Sequence, residues 1–449
     1  MPRRTLWLLL VIGVFSLACY ERAERNPYGR WFAEVMETID QYYVEPVDNE
    51  KLFQGALDGM VGKLDDYSSF LPRSEMRQFQ ETLDQRYGGI GIEVMLDGPK
   101  KELTVMGLLL GTPAYKAGIL AGDKIVSVEG RSTENLQLKD VLRLLRGKAG
   151  DDVTISVRRA GHEEPLDFHL VRAMIKTDSV LGDTRDTDGS WNFLLPGDQR
   201  ICYVRIGTFG EYTFSEFESA LKRLTEQKCR GLIIDLRNDP GGLLQSAERI
   251  CNLFIPKDAV IVSTRGRDAR ERDRYLATGD GAYQDLPLVV LVDDKSASAS
   301  EIVAACLQDH GRATIVGERT WGKGTVQSVI PVEGGKSLLK LTIASYWRPS
   351  GKNIHRMSTS KETDEWGVKP DAGCEVKLDE KERTAWAEKR RERDVLPMPG
   401  VKPAAVPITS AEPAAVASTS AEPASKSPTE FDPQLQRAVE VLQQKIAHE

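Results

Sequence analysis

Leu288-Val289-Val290-Leu291-Val292, followed shortly by Ser296-Ala297-Ser298-Ala299-Ser300-Glu301-Ile302, is the stretch on which the reading of this chain turns. The β-branched run reads as a buried strand, and from Glu301 the apolar positions Ile302, Cys306 and Leu307 recur at helical spacing. The serines therefore fall on a strand-to-helix turn. A hydroxyl there sits near the positive end of a helix and near unpaired backbone N–H groups, which suits a developing oxyanion. Serines before a helix also serve as caps, so position alone does not choose among Ser296, Ser298 and Ser300.

A serine nucleophile needs a base. The histidines are His162, His169, His310, His355 and His448; the nearest in sequence, His310, lies about 15 Å further along the expected helix, by the rise per residue. Lys323, between Gly322 and Gly324, is the alternative. A lysine acts as a base only when neutral, so burial or a neighbouring cation must lower its pKa from about 10.4 toward roughly 7–8. Gln327, four positions on, shares a face with Lys323 if both lie on one strand. On composition alone, a lysine flanked by glycines is a solvated loop charge.

The run Ser296 to Glu301, then Gly317-Glu318-Arg319-Thr320-Trp321-Gly322-Lys323-Gly324-Thr325-Val326-Gln327, together with Leu236-Arg237-Asn238-Asp239-Pro240-Gly241-Gly242, closely resembles the carboxyl-terminal processing (tail-specific) serine proteases. The resemblance selects the middle serine, Ser298, as nucleophile, and a lysine 25 positions later, Lys323, as base with Gln327 as its support. It also implies an oxyanion hole made by Ala299 N–H with an N–H of Gly241 or Gly242. The Pro-Gly-Gly turn itself follows a strand-like run, Gly231 to Leu236, and precedes a helical pattern. Glycines there allow close backbone approach to a ligand. Asp239 stands where the family often has asparagine.

A second resemblance covers residues 86–174. Tyr87-Gly88-Gly89-Ile90-Gly91-Ile92, Gly111-Thr112-Pro113-Ala114, Ala117-Gly118 and Gly122-Asp123-Lys124-Ile125 look like a PDZ domain, β-rich with helices. Such a domain implies a loop, here Gly88, Gly89, Ile90 and Gly91, whose N–H groups hold a terminal carboxylate while the adjoining strand pairs with the peptide. Arg146 is a candidate contact between that domain and the catalytic core.

At the N-terminus, Arg3 and Arg4 precede an apolar stretch, Leu6 to Cys19, that fits a signal peptide or short membrane anchor over 1–20 and implies export to a periplasmic or other extracytoplasmic place. Residues 28–85 carry two amphipathic helical patterns and form an N-terminal helical region, for which the resemblance implies dimer contacts. Residues 175–380 alternate strand and helix patterns, then end in strand-like runs at 326–331 and 337–345, so an α/β core is expected, preceded by the PDZ domain. Thr409-Ser410-Ala411-Glu412-Pro413-Ala414 recurs at Thr419 to Ala424, and 381–430 reads as a low-complexity linker. In 431–449, Asp432 can cap a helix with Pro433 at its first position and an apolar stripe of Leu435, Ala438, Val439, Leu442 and Ile446.

A net charge of −7 argues against nucleic acid as partner. Beyond Cys19 the cysteines are Cys202, Cys229, Cys251, Cys306 and Cys374, an odd set without metal-ligand spacing, read as buried thiols. The expectation is a multidomain α/β serine endopeptidase without metal or cofactor, acting on protein or peptide C-terminal tails, with homo-oligomerisation and membrane anchoring left open. The competing expectations are a PDZ-bearing adaptor on an inactive protease scaffold and, more weakly, an esterase or amidase.

Overall fold

The computed structural model describes Trp7 and residues 27–97, 101–186, 189–197, 200–279, 281–394 and 428–448. The chain divides into two compact units, residues 1–76 with 327–342, and residues 77–326 with 343–449.

In the second unit the strands Val180–Leu181, Ile201–Ile206, Gly231–Asp235, Leu288–Val292 and Thr314–Gly317 form one sheet in that spatial order. The last four run parallel, and the first is antiparallel to its neighbour. Helices Thr213–Glu226, Leu244–Cys251 and Ala299–Asp309 fall between successive parallel strands. Because sequence order and spatial order coincide, right-handed crossovers place all three helices on one face. That face buries Val204, Ile234 and Val290 against Phe217, Ile250 and Ile302.

The winding leaves the other face without a helix of its own. Pro433–His448 supplies one: Leu435, Ala438 and Leu442 pack on Tyr203, Ile233, Val289 and Leu291. The expected C-terminal stripe thus covers the chain's own core sheet. Two apolar faces explain why the central strands read as unbroken hydrophobic runs.

Residues 92–171 form an antiparallel sheet of Ile92–Asp97, Glu102–Leu108, Lys124–Val128, Asp152–Arg158 and Leu166–Val171, with the helices Pro113–Lys116 and Leu138–Leu145. Val105, Ile125, Val141 and Ile155 give this domain a core of its own. Arg86–Gly89 pairs with Ala173–Lys176 at its ends. In the first unit, helices Pro27–Tyr42 and Asn49–Val61 precede Ser69–Leu71, which pairs with residues 338–340.

Two expectations need correcting. Cys202 and Cys229 form a disulfide, with Cα atoms 6.1 Å apart, whereas Cys251, Cys306 and Cys374 are buried thiols. One cysteine lies on a strand and the other just before its parallel neighbour, a proximity that a separation of 27 residues conceals. The segment read as linker from 381 begins instead with a helix, Glu380–Asp394. Its charged sequence lacks an apolar stripe; ion pairs hold it, Arg390 and Arg393 on the buried Asp183 and Arg205 on Asp394. The Thr409 to Ala424 repeat and, apart from Trp7, the Leu6 to Cys19 stretch lie outside the described residues. Among the described residues no helix is long and apolar enough to cross a membrane.

Candidate active site

Ser298 occupies the turn between Leu288–Val292 and the helix starting at Ala299, with φ 57° and ψ −112°. Non-glycine residues hold such a conformation only where surrounding bonds impose it. Here Ala297 N–H donates to Asp239 O at 3.0 Å, and Trp321 N–H to Ser296 O at 3.0 Å. Ser296 Oγ donates to Leu236 O at 2.8 Å, and Ser300 Oγ to Asp239 O at 3.1 Å. Both of those serines are fully buried and engaged in holding the turn, while Ser298 is 9% exposed. The structure thus separates three serines that the local sequence could not.

Glu301, in the first turn of the same helix, is fully buried. Its Oε2 accepts the N–H of Ser298 at 2.9 Å and of Lys323 at 2.8 Å; its Oε1 accepts Gly322 N–H at 2.7 Å and Thr320 Oγ at 2.6 Å. One carboxylate therefore joins the backbone of two segments that lie more than twenty residues apart. Burial pushes the Glu301 carboxyl up to about 7, against the pull of these four donors.

Lys323 is partly exposed and lies in the loop before the strand Thr325–Val332. The premise that Lys323 and Gln327 share a strand face is therefore corrected, because only Gln327 is on the strand. Gln327 belongs to the first unit, where its Nε2 donates to Thr342 Oγ at 3.3 Å. A Cβ on Gly324 would stand 2.2 Å from His355 N, so glycine is what admits the 355 segment beside the lysine loop. A histidine thus comes close in space that distance along the chain had hidden. His310 ends the helix Ala299–Asp309, its Nε2 2.7 Å from Val260 O.

The Asn238 to Gly242 turn presses on Ser298. Gly241 has φ 90°, and a Cβ there would lie 2.8 Å from Ala299 N and 2.9 Å from Ser298 Cβ. Its N–H donates to Asp239 Oδ1 at 2.8 Å, which removes Gly241 as a donor in this arrangement. Among the described residues the N–H groups of Gly242 and Ala299 have no protein acceptor.

Asp239 is fully buried, and its Oδ2 has no partner among the described residues. Burial pushes its carboxyl well above the usual carboxylate range, and the nearby Asp293 and Asp235 add to this. The native state then keeps a proton that the unfolded chain releases above about pH 3.9, so stability falls as pH rises beyond that value. Asp239→Asn, which does not titrate, is expected to raise Tm at pH 8 by roughly 2 °C or more relative to its effect at pH 4. Thermal melts at the two pH values check this; an equal shift at both would refute a buried neutral acid.

In the β-rich domain, Tyr87, Gly89, Ile90, Gly91, Ile92, Leu142, Leu145 and Arg146 line a groove of 240 Å3. Gly88 does not line it. A Cβ there would meet Gly147 O at 2.0 Å, so Gly88 serves close backbone packing instead. Arg146 stacks 4.7 Å from the Tyr87 ring and stands 3.9 Å from Glu81, contacts that both precede the core in sequence. Sequence reading missed Glu301, although a serine followed by glutamate three residues on is a capping pattern that could have drawn attention to it. No group of residues suited to hold a metal ion occurs among the described residues.

Residues 200–373 match the model of peptidase family S41, residues 104–159 that of the PDZ domain, and residues 23–74 that of the N-terminal domain of the activating protease CtpB. The carboxy-terminal-processing protease of Bartonella bacilliformis is 36% identical over 364 residues, 80% of this chain and 78% of the relative. Carboxy-terminal processing protease CtpB of Bacillus subtilis is 36% identical over 337 residues, 74% of this chain and 67% of the relative. A solved photosystem II D1 C-terminal processing protease is 30% identical, covering 80% of this chain and 92% of its own, with a TM-score of 0.43.

Proposed function

The chain belongs to the carboxy-terminal-processing serine proteases of peptidase family S41, and from that premise we propose that it cleaves proteins chosen by their C-terminal tails, through a Ser298–Lys323 dyad. The observation that carries the dyad is the Glu301 carboxylate, which accepts the N–H of both residues and so fixes the two backbones to one point.

Neutral Lys323 takes the Ser298 Oγ proton as that oxygen bonds to the scissile carbonyl carbon. The carbonyl oxygen becomes an oxyanion, and the N–H groups of Gly242 and Ala299 are the donors left to receive it. When the tetrahedral centre collapses, the C–N bond breaks and the lysine ammonium protonates the leaving amine. A water then gives its proton to Lys323 and attacks the acyl carbon; as this second tetrahedral centre collapses, the bond to Ser298 Oγ breaks, the lysine ammonium returns the proton to Oγ, and the product leaves as the carboxylic acid.

Tail selection rests on the groove beside Gly89, Ile90 and Gly91. Peptide substrates differing only in their C-terminus test it: amidation is expected to raise KM or lower kcat by about tenfold, the scale of one charge-assisted hydrogen bond. Identical kinetics for the free acid and the amide would remove carboxylate recognition. For export, the Arg3, Arg4 and Leu6 to Cys19 pattern is joined by the Cys202–Cys229 disulfide, which suits an oxidising compartment. Cell fractionation tests that placement.

A further inference from the structure

Arg237 opens the turn that carries Gly241 and Gly242, and its side chain is 2% exposed. From the sheet, Asp235 receives Arg237 Nε at 3.0 Å, Nη2 at 2.7 Å and the backbone N–H at 2.9 Å. From the C-terminal segment, Asp432 receives Nη1 at 2.9 Å and Nη2 at 2.8 Å, while Gln434 Oε1 receives Nη1 at 3.0 Å. Asp432 also accepts Leu435 N–H and Trp386 Nε1–H, each at 2.9 Å, and the Trp386 ring centroid lies 4.8 Å from the guanidinium carbon. The cap of the last helix therefore grips a residue 195 positions earlier in the chain.

The grip continues into the site. Asn238, next after Arg237, has φ 57°, and its N–H donates to Asp293 Oδ1 at 2.9 Å. That oxygen also accepts Ser296 N–H at 3.0 Å, in the loop that delivers Ser298. A continuous set of bonds thus runs from Asp432 through Arg237 and Asn238 to the nucleophile loop. If the helix served only to cover apolar surface, Leu435, Ala438 and Leu442 would suffice, and nothing would require a two-oxygen carboxylate on Arg237.

We propose that Asp432 is a positioning residue for proteolysis: by fixing Arg237 from the helix side, it sets the turn whose Gly242 N–H faces the developing oxyanion. This rests on the Ser298 and oxyanion reading above. Asn at 432 keeps the shape and one acceptor oxygen but loses the bidentate geometry that orients a guanidinium. Arg237 would keep Asp235 as its counter-charge, so the fold is expected to persist.

The test compares four full-length proteins, wild type, Asp432→Asn, Leu442→Ala and Ser298→Ala, on one peptide substrate, with a peptidyl boronic acid as tetrahedral analogue. Asp432→Asn is expected to lower kcat about tenfold with KM within about twofold, and to weaken the boronic acid by the same factor, as loss of a transition-state contact requires. Leu442→Ala removes core packing and is expected to lower Tm while leaving kcat, measured well below Tm, within about twofold of wild type. Asp432→Asn with wild-type kcat, or Leu442→Ala losing kcat to the same degree, would overturn the positioning role and reduce the helix to a cover. Activity surviving in Ser298→Ala would overturn the dyad itself, a separate failure that this arm identifies.

Discussion

Ser298→Ala and Lys323→Ala are each expected to lower kcat by about 10⁴-fold or more with the fold retained, and the double variant is expected to lose no further factor. A nucleophile and its base act as one unit, so their losses do not add. His355→Ala is the necessary companion, because the His355 backbone packs beside Gly324 and so brings a histidine near the lysine loop. It is expected to keep kcat within about tenfold of wild type. Initial rates on a peptide substrate, with circular dichroism as the check on folding, decide the matter. Substantial activity in folded Ser298→Ala would assign the nucleophile elsewhere, and substantial activity in folded Lys323→Ala, or a collapse of rate in His355→Ala that equals that of Lys323→Ala, would assign the base elsewhere.

The second large effect concerns Glu301. In Glu301→Gln, one carboxylate oxygen becomes an NH2 facing two donors, either Ser298 and Lys323 N–H or Gly322 N–H and Thr320 Oγ. Each buried donor left without an acceptor costs about 1–3 kcal/mol. The variant is expected to lose about 10²-fold in kcat and to melt several degrees lower. The pH dependence carries a sign. Burial raises the native Glu301 to about 7 from 4.5, so between those values the native state holds the extra proton and stability falls as pH rises. Above about 7 the carboxylate is ionised and accepts all its donors, so wild-type kcat/KM is expected to climb through that region. Glu301→Gln is expected to lack that step. A profile for the variant that superimposes on wild type between pH 6 and 8 would remove Glu301 from the titration.

How much of this was legible in the sequence depends on whether the forces involved are local. The Leu288–Val292 strand and the helix after Ser298 were legible, because hydrophobic period and helix-start chemistry act over a few residues. The roles given to Ser298, Lys323 and the Gly241-Gly242 turn rest on the family pattern, because no local force relates segments so far apart in the chain. Ser296 and Ser300 could be told apart from Ser298 only once Leu236 and Asp239 were placed beside them in space. Glu301 showed as a capping residue, but its bonds to Gly322 and Lys323 depend on a loop returning to the helix start. Asp432 likewise read as a cap, and its grip on Arg237 exists only because the last helix covers the sheet face that the winding leaves bare. The helix Glu380–Asp394 escaped notice because ion pairs, not an apolar stripe, hold it.

Proteolysis through Ser298 requires a covalent acyl intermediate on that residue. The most direct measurement is the mass of the protein quenched during turnover of a slowly hydrolysed peptide ester, followed by peptide mapping of the adduct. A Ser298 nucleophile predicts one acyl group per active chain, located on Ser298 in wild type and missing from Ser298→Ala. An acyl group on Ser296, Ser300 or any other residue, or turnover by Ser298→Ala without an adduct, would contradict it.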